Sequence, residues 1–350
     1  MTATQIPSRQ AGPQFGLGMA PDEPKTARLV DGFGRRFHYL RLSVTEICNF
    51  RCSYCLPDGF RKTAPLAFLD IEEIARLTTA FARLGVAKIR LTGGEPTVRR
   101  DISEIIGCVA ATPGIDKVAM TTNGWNLQRH VAAWHAAGLT NLNISIDDLD
   151  PTAFAAITGH DRLHEVVAGL DAALALGTPT VKVNAVLLKA SVPQGFDRFA
   201  DFVKARPIAV RFIELMRTGD NADYFSTNHV SGAVLAAWLE ARGWSARTRA
   251  FDDGPAREYE HPDYLGRIGL IAPYGAGFCD SCNRLRVTAR GVLRLCLFGQ
   301  GGVDLRALLA DDQPDLVAAR VRTALGGKSA GHRLNEGLPG DTRHLAQLGG

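Results

Sequence analysis

Long apolar segments are missing from this chain of 350 residues. No run approaches the ~18 consecutive apolar residues that a membrane-spanning helix needs, so no membrane partner is expected. Residues 1–30 contain prolines and glycines, but neither the basic segment nor the apolar segment of a secretory signal. They are therefore expected to form a flexible N-terminal extension, and the protein is expected to be cytoplasmic.

A large excess of charge is missing as well. Forty basic residues nearly balance 36 acidic ones, which leaves a net charge of +4. This small charge does not indicate a nucleic-acid partner, although it is compatible with a local basic site for an anion. RNA binding would also favour aromatic residues interleaved with basic ones. Here aromatic residues make up only 7% of the chain and lie mostly in apolar patterns.

The cysteines are few but grouped. Seven are present, and one of them, Cys108, lies in an apolar stretch and is interpreted as a core residue. The other six form two groups of three, namely Cys48, Cys52 and Cys55 with the spacing C-x3-C-x2-C, and Cys279, Cys282 and Cys296 with the spacing C-x2-C-x13-C. In a reducing compartment such groups indicate metal binding rather than disulfides.

The number of cysteines in each group limits which kinds of metal site are possible. Thiolates are typical ligands of iron–sulfur clusters and of zinc. A structural zinc site needs four ligands, and the first group has no histidine or further cysteine nearby. A [4Fe–4S] cluster held by three cysteines leaves one iron open for a substrate, which is the favoured interpretation of both groups. For the second group, a zinc site completed by Asp280 or His261 stays an alternative.

Strand and helix patterns alternate from about residue 40 onward. Six strands are predicted at residues 40–45, 87–92, 117–121, 141–146, 180–187 and 208–214. Six consecutive βα units indicate a parallel sheet, either open and doubly wound or an incomplete barrel. Polar residues alternate with apolar ones in several strands, as Arg90 and Thr92 do in the second and Lys182 and Asn184 do in the fifth. Parallel strands buried on both faces are normally apolar throughout, so one face is expected to line a cavity for polar ligands.

The pattern changes after residue 214. Three short strands, at residues 267–271, 284–288 and 292–295, are predicted to be antiparallel. We expect residues 31–220 to form the barrel-like part and residues 221–350 to form a C-terminal region that carries the second cysteine group.

Two motifs resemble those of the radical S-adenosylmethionine (SAM) superfamily. One is the first cysteine group, in which the aromatic Tyr54 precedes the last cysteine. The other is Thr92-Gly93-Gly94-Glu95-Pro96 at the end of the second predicted strand. In that superfamily the three cysteines hold a [4Fe–4S] cluster whose open iron is chelated by SAM. The resemblance implies that the residues around SAM are Tyr54, Gly94, Ser145 and Met216.

The chain as a whole resembles the GTP 3′,8-cyclase family of molybdenum-cofactor biosynthesis. Matching segments lie at residues 31–36, 40–55, 89–100, 121–124, 145–147, 181–184, 212–219, 279–296 and 348–350. The resemblance implies an α/β fold, an incomplete (β/α)6 TIM-like barrel with an appended C-terminal region that carries a second [4Fe–4S] cluster. It also implies that SAM is cleaved to a 5′-deoxyadenosyl radical, which takes the hydrogen from C3′ of GTP. C3′ then joins C8 of guanine, and the product is (8S)-3′,8-cyclo-7,8-dihydroguanosine 5′-triphosphate.

The same resemblance assigns roles to individual residues. The first cluster would be held by Cys48, Cys52 and Cys55, and the second by Cys279, Cys282 and Cys296. The residues implied to bind GTP are Arg41, Arg90, Thr121, Lys182, Arg284, Leu285 and Arg286. The terminal Gly349 and Gly350 would enter the active site and support catalysis. The arginines have an independent reason to bind a triphosphate, because a guanidinium group contacts phosphate oxygens in a fork.

The implied partners are a nucleotide, a reductant and one other enzyme. They are GTP, an external one-electron reductant and the next enzyme of the pathway, cyclic pyranopterin monophosphate synthase, and a homodimer is left open. One alternative is another radical SAM enzyme with an auxiliary cluster, such as a peptide-modifying maturase. The pair Arg284 and Arg286 and the glycine tail argue against it, because a peptide needs neither. A non-catalytic iron–sulfur protein is the other alternative, and two open clusters argue against an electron carrier.

Overall fold

The computed structural model of the protein describes residues 28–62, 66–248 and 254–349. The predicted flexible extension lies outside these residues except for its last three positions, and the predicted catalytic Gly350 lies outside them too. Within the described part, no helix is both long and apolar enough to cross a lipid bilayer.

Six parallel strands form the centre of the fold. They are β1 (Tyr39–Thr45), β2 (Lys88–Gly93), β3 (Lys117–Thr122), β4 (Asn141–Ser145), β5 (Thr180–Leu187) and β6 (Ala209–Glu214). All six confirm the predicted strands to within one residue at either end. They are hydrogen-bonded in the order of the sequence, whereas a doubly wound sheet reverses its order at a switch point. The sheet is therefore an incomplete barrel, which settles the alternative that strand patterns alone left open.

Nine helices of the described chain cover or flank this sheet. They are α1 (Ile71–Arg83), α2 (Ile102–Ala110), α3 (Leu127–Ala136), α4 (Pro151–Thr158), α5 (Leu163–Ala175), α6 (Gln194–Lys204), α7 (Ala222–Asn228), α8 (Gly232–Glu240) and α9 (Pro314–Leu325). The first six follow or precede barrel strands, as right-handed βα crossovers require.

Helix α1 shows how local sequence determines an element. Asp70 accepts a hydrogen bond from the Glu73 N–H at 2.8 Å, and Glu73 accepts one from the Asp70 N–H at 2.9 Å, which completes a capping box. Ile74, Leu77 and Phe81 recur at helical spacing and are fully buried against the sheet. Burial of this apolar stripe, rather than helix propensity, supplies most of the stability of the helix.

The C-terminal strands extend both edges of the barrel sheet. They are β7 (Ser245–Ala246), β8 (Arg257–Glu260), β9 (Arg267–Ile271), β10 (Arg284–Val287), β11 (Val292–Arg294) and β12 (Val303–Asp304). The resulting twelve-stranded order is β12-β11-β10-β1-β2-β3-β4-β5-β6-β9-β8-β7. The two sequence regions therefore share one continuous sheet.

The prediction that these C-terminal strands are antiparallel was wrong for two pairings. β10 runs parallel to β1, and β9 runs parallel to β6. Each is antiparallel only to its other neighbour, β11 or β8. Turn residues in the sequence indicate a hairpin partner that is close in sequence. β9, however, pairs with β6, which lies more than 50 residues earlier, and β10 pairs with β1, which lies more than 200 residues earlier. Such distant pairings leave no local sequence signal.

The alternation of polar and apolar residues has the predicted consequence. In β5 the side chains of Thr180, Lys182 and Asn184 line the barrel interior, whereas Val181 and Val183 are buried on the helix side. The interior of the barrel is therefore a polar cavity, and the hydrophobic core lies between the strands and the surrounding helices.

Removal of the Asp70 carboxylate tests whether the capping box stabilises α1. Asp70→Ala should lower the free energy of unfolding by about 1 kcal/mol, because a helix N–H loses its acceptor. Denaturant unfolding of the cluster-free protein, followed by circular dichroism, measures this change. Gln313→Ala is the matched control, because Gln313 precedes α9 without a side-chain capping bond. An equal loss in both variants would contradict the role given to Asp70.

Candidate active site

The barrel interior contains two adjoining pockets. The first pocket lies at the carboxyl ends of the strands, where Thr92, Thr121, Ser145 and Glu214 line it. The second pocket lies toward the amino ends, and its lining residues include Tyr39, Arg41, Lys88, Arg90, Asn143, Lys182, Arg211, Arg284 and Arg286. The two pockets share a wall made of Asn184, Ile213, Met216 and Leu297. A molecule in one pocket is thus next to a molecule in the other.

The first cysteine group sits in the loop that follows β1. Backbone bonds from Arg51 to Thr158 (3.0 Å) and from Ser53 to Ile157 (2.9 Å) fasten this loop to α4. Cys48, Cys52 and Cys55 all line the first pocket, as predicted from their spacing. Throughout the described part of the chain, every cysteine is free of disulfide bonds.

Burial keeps these thiols neutral when no metal is bound. It raises the pKa of Cys48 to about 12 and the pKa of Cys55 to about 11, and it raises the pKa of Cys52 as well. Cationic iron would offset the cost of burying three thiolates, so the donor set fits an iron–sulfur cluster. Within residues 28–62, 66–248 and 254–349, no three histidine, cysteine, aspartate or glutamate side chains converge closely enough to hold a single metal ion. Thiolates of one cluster bind different irons and need not converge on a single point.

The predicted SAM residues also line the first pocket. They are Tyr54, Gly94, Ser145 and Met216. The Tyr54 hydroxyl donates a hydrogen bond to Asp147 Oδ2 at 3.0 Å, and burial raises the pKa of this carboxyl to about 6. Sequence reasoning did not select Asp147, although it lies two residues after Ser145 at the end of β4.

Gly93 and Gly94 lie at positions that leave no room for a side chain. A Cβ atom at Gly94 would lie 2.4 Å from the backbone oxygen of Ile47, and one at Gly93 would lie 2.2 Å from that of Thr45. The paired glycines therefore let the end of β2 approach the cysteine loop itself. This close approach places the 93–95 backbone beside the three thiols.

The second cysteine group is assembled by strand pairing. Cys279 and Cys282 precede β10 and Cys296 follows β11, and these two strands are antiparallel neighbours. All three thiols line the second pocket. Burial opposes ionisation of Cys282, but the positive charges of Arg284 and Lys328 outweigh it and lower the pKa of this thiol. Burial raises the pKa of Cys279, so the cationic surroundings favour the thiolate at Cys282 in particular. Three thiols around one pocket, with cations beside one of them, fit a metal centre.

Two histidines are relevant to whether the second cysteine group has a fourth metal ligand. His261 packs against Trp244 and Tyr264 and is not among the residues that line the second pocket, so it is not placed to complete a zinc site. His332 does line the pocket, and no described residue hydrogen-bonds to its Nε2. His332 belongs to no sequence motif that would have singled it out.

A row of arginines crosses the floor of the second pocket. Arg41 on β1 is the lateral neighbour of Arg286 on one side and of Arg90 on the other. Burial, opposed in part by Tyr39, lowers the pKa of Arg41 to about 10, and burial together with Arg41 lowers the pKa of Arg286. Like charges on adjacent strands repel, so a bound polyanion would stabilise this row.

Further polar residues of the second pocket extend this row. Lys88 and Tyr39 lie two positions before Arg90 and Arg41, and Arg211 pairs with Glu258 at 2.6 Å. The Arg90 Nε donates to the Tyr39 hydroxyl at 2.6 Å. The sequence contained the signal for Tyr39 and Lys88, because a spacing of two positions from Arg41 and Arg90 returns to the same strand face.

Two of the residues predicted to bind GTP, Thr121 and Leu285, have side chains that do not line the second pocket. The Leu285 side chain is fully buried in the hydrophobic core and does not line the second pocket, so only its backbone is available to a ligand there. Thr121 lines the first pocket and is linked to the arginine row by a 3.2 Å bond from Arg90 Nη1.

The C-terminal tail reaches the arginine row. The Gly349 carbonyl accepts hydrogen bonds from Arg41 Nε at 3.1 Å and from Arg286 Nη1 at 3.0 Å. Gly349 has a φ of 60°, and a Cβ atom there would lie 2.1 Å from Thr92 Cγ2. Glycine is therefore needed at this position both for its backbone conformation and for lack of space.

Comparisons with known proteins agree with this geometry. The family models "Radical SAM superfamily" and "Molybdenum Cofactor Synthesis C" match residues 42–203 and 208–334. The chain is 58% identical over 325 residues to the GTP 3′,8-cyclase of Stenotrophomonas maltophilia (strain R551-3), covering 93% of this chain and 100% of that protein. It is 53% identical over 328 residues to the GTP 3′,8-cyclase of Aeromonas hydrophila, covering 92% and 96%. The chain belongs to the GTP 3′,8-cyclase family.

Membership of the GTP 3′,8-cyclase family, within the radical SAM superfamily, implies a [4Fe–4S] cluster and SAM as cofactors. Among solved structures, Streptococcus suis SuiB bound to S-adenosylmethionine is similar with a TM-score of 0.60 and 14% identity, covering 89% of this chain and 77% of that chain. At this identity the likeness extends to the fold only, and it confirms the incomplete barrel.

The second pocket should take up a proton when it binds a polyanion. Burial and the neighbouring Arg211 lower the pKa of Lys182 to about 7, so at pH 8 most of this amine is neutral. An anion favours the charged form, and the affinity for inorganic triphosphate should fall as the pH rises above 7, by at most about tenfold per unit.

Titration calorimetry in two buffers of different ionisation heat measures this proton uptake. Lys182→Met should reduce the uptake by up to about one proton at pH 8. Comparison of the two proteins cancels the titration of the ligand itself. Equal uptake by both proteins would exclude Lys182 as the group that is protonated.

Proposed function

We propose that this chain joins C3′ of the GTP ribose to C8 of its guanine, the first step of molybdenum-cofactor biosynthesis. The observation that carries this proposal is the pair of adjoining pockets, each lined by three thiols that are free of disulfide bonds, with a row of arginines across the floor of the second. Identity of 58% to a GTP 3′,8-cyclase favours this reaction over the peptide-modifying and non-catalytic alternatives.

The first pocket would hold the SAM cluster. Its ligands would be Cys48, Cys52 and Cys55, with Tyr54, Gly94, Ser145 and Met216 around SAM. When bound, this cluster and SAM supply the radical chemistry that removes the C3′ hydrogen. The chain contributes a buried site, fixed by the loop contacts to α4 and by the close approach of the glycine pair. Burial excludes water from the reacting groups.

The second pocket would hold GTP and a second [4Fe–4S] cluster. The ligands of this cluster would be Cys279, Cys282 and Cys296. Arg41, Arg90, Lys182, Arg284 and Arg286, with Thr121 and the Leu285 backbone, would bind the nucleotide, the cations mostly at its triphosphate. Because the pockets share the wall that contains Asn184 and Met216, a nucleotide anchored in the second can present its ribose to the first.

Orphaned polar atoms support a polar occupant at this boundary. No described residue hydrogen-bonds to Asn143 Oδ1 or Asn184 Oδ1, although both atoms are buried. Both side chains line the second pocket, and Asn184 lines the first as well. Buried polar groups are normally satisfied, so ribose or base donors are suitable partners for these oxygens.

The remaining proposals concern organisation and partners. Residues 31–220 would hold SAM, and residues 221–350 would supply the second cluster and the tail. An external one-electron reductant would serve the first cluster, and the product would pass to cyclic pyranopterin monophosphate synthase in the cytoplasm. Gly349, with Gly350, would act at the arginine row, where the Gly349 carbonyl already lies.

An anaerobic assay tests the proposed reaction. Protein reconstituted with iron and sulfide is given SAM, dithionite and GTP, and the products are separated chromatographically. We expect 5′-deoxyadenosine and a cyclised nucleotide with GTP, and no cyclised product with ATP. Formation of 5′-deoxyadenosine without a nucleotide product, from protein with full iron content, would refute GTP as the substrate.

Cysteine variants separate the two sites. Cys48→Ala should abolish 5′-deoxyadenosine formation, because the first cluster loses a ligand. Cys296→Ala should retain part of this formation but yield no cyclised nucleotide. Cys108→Ala, on α2 and outside both pockets, is the control and should behave as the unaltered protein. Near-normal cyclisation by both site variants would refute the two-cluster assignment.

A substitution in the tail tests the role of Gly349. Gly349→Ala should displace the tail from Thr92 and lower the cyclisation rate by roughly 100-fold, the scale expected for a misplaced group near the reacting atoms. Gly177→Ala is the matched control, because Gly177 has a φ of 69° but no heavy atom within 4 Å of the added Cβ. If both variants cyclise GTP at the same rate, the tail has no role in the reaction.

A further inference from the structure

The turn formed by residues 29–37 lines neither of these two pockets, yet several of its side chains are buried and hydrogen-bonded. Leu29, Asp31, Arg35 and Phe37 are buried, and backbone bonds join Phe37 to Leu29 and Asp31 to Arg35. Asp31 Oδ1 accepts the N–H groups of Phe33 and Arg35, both at 3.0 Å. The carboxylate thus fixes the turn and at the same time faces the Arg35 side chain.

Every donor of the Arg35 guanidinium is used. Nε and Nη2 bind Asp31 Oδ2, both at 2.7 Å. Nη1 donates to the carbonyls of Cys279 (3.1 Å) and Ala330, and Nη2 donates to that of Ser329 (2.7 Å). One side chain therefore joins three segments that are far apart in sequence, and one of its acceptors is the backbone of a thiol residue.

The turn at residues 328–331 continues this connection to the other thiols. Gly331 lies against Cys279, since a Cβ atom on it would be 3.6 Å from the Cys279 sulfur. Lys328 Nζ donates to the carbonyl of Leu295, which precedes Cys296, and lies 5.4 Å from the ring of Phe37. Cys282 is coupled as well, because its N–H donates to the Cys279 carbonyl at 3.1 Å.

We infer that Arg35 is a positioning residue for the second cysteine site. It holds the Cys279 backbone against the 328–331 turn and so maintains the spacing of the three thiols. The inference rests on the proposed second cluster. Groups that orient metal ligands from outside affect metal affinity strongly, and a cation close to the thiolates also affects the potential of a cluster. Lysine cannot replace Arg35, because its three donors originate from one atom and cannot reach both Asp31 and three carbonyls.

Iron analysis and electron paramagnetic resonance (EPR) of the dithionite-reduced protein test this inference. A Cys279→Ser/Cys282→Ser/Cys296→Ser variant defines the sample that has only the first cluster. Arg35→Lys should bind roughly half the iron of the unaltered protein and lose the EPR signal that the triple variant lacks. Its first-cluster signal, including the change on addition of SAM, should persist. Arg36→Lys is the control, because Arg36 is the exposed neighbour in the same turn.

Each result has a definite meaning. Full iron and an unaltered second-cluster signal in Arg35→Lys would overturn the inference while the second cluster stands. Full iron in the triple cysteine variant would overturn the second cluster, and with it this inference. If Arg35→Lys does not fold, Asp31→Asn serves instead, because asparagine keeps the acceptor for the turn N–H groups but removes the charge that aligns Arg35. Loss of second-site iron in Asp31→Asn supports the inference, and full retention overturns it.

Discussion

Positive charge inside the barrel is the constraint on which the arrangement of the site depends. Arg286, Arg41 and Arg90 stand side by side on three adjacent strands, where like charges repel. The Tyr39 hydroxyl accepts a hydrogen bond from Arg90, and the tail carbonyls accept hydrogen bonds from Arg41 and Arg286. Neutral acceptors of this kind satisfy hydrogen bonds but carry no charge of their own. The interior is thus prepared for an anion, and the strand alternation that creates it costs the barrel part of its apolar core.

The pairing of β1 with β10 determines where the two thiol groups lie. Cys48 follows the carboxyl end of β1, whereas Cys282 comes just before the amino end of β10. Because these strands are parallel, the two groups sit at opposite ends of the same strand pair, separated by roughly 20 Å of strand. The addition of β10 beside β1 thus fixes the position of the second thiol group relative to the first.

Sequence patterns predicted those parts of the molecule that depend on local order. The six barrel strands follow from the alternation of strand and helix patterns, and the polar cavity follows from the two-residue periodicity of side chains in a strand. The parallel pairings of β9 and β10 could not be predicted this way, since they join segments far apart in the chain. The same holds for the side-chain position of Leu285 and for the contact of Arg35 with a carbonyl 244 residues away. Lys88 could have been predicted, because it lies two residues before Arg90 and therefore on the same strand face.

The continuous sheet also has a consequence for how the chain is made. One edge of β1 is covered by β2, but the other edge is hydrogen-bonded only to β10, which begins about 240 residues further along. At a synthesis rate of roughly 5–20 residues per second, this edge waits for tens of seconds on the ribosome before its partner exists. An exposed strand edge is a template for pairing with other chains. The nascent protein therefore passes through an aggregation-prone stage that ends only when its last quarter emerges, and the second thiol group, at residues 279–296, is synthesised in that same late stage.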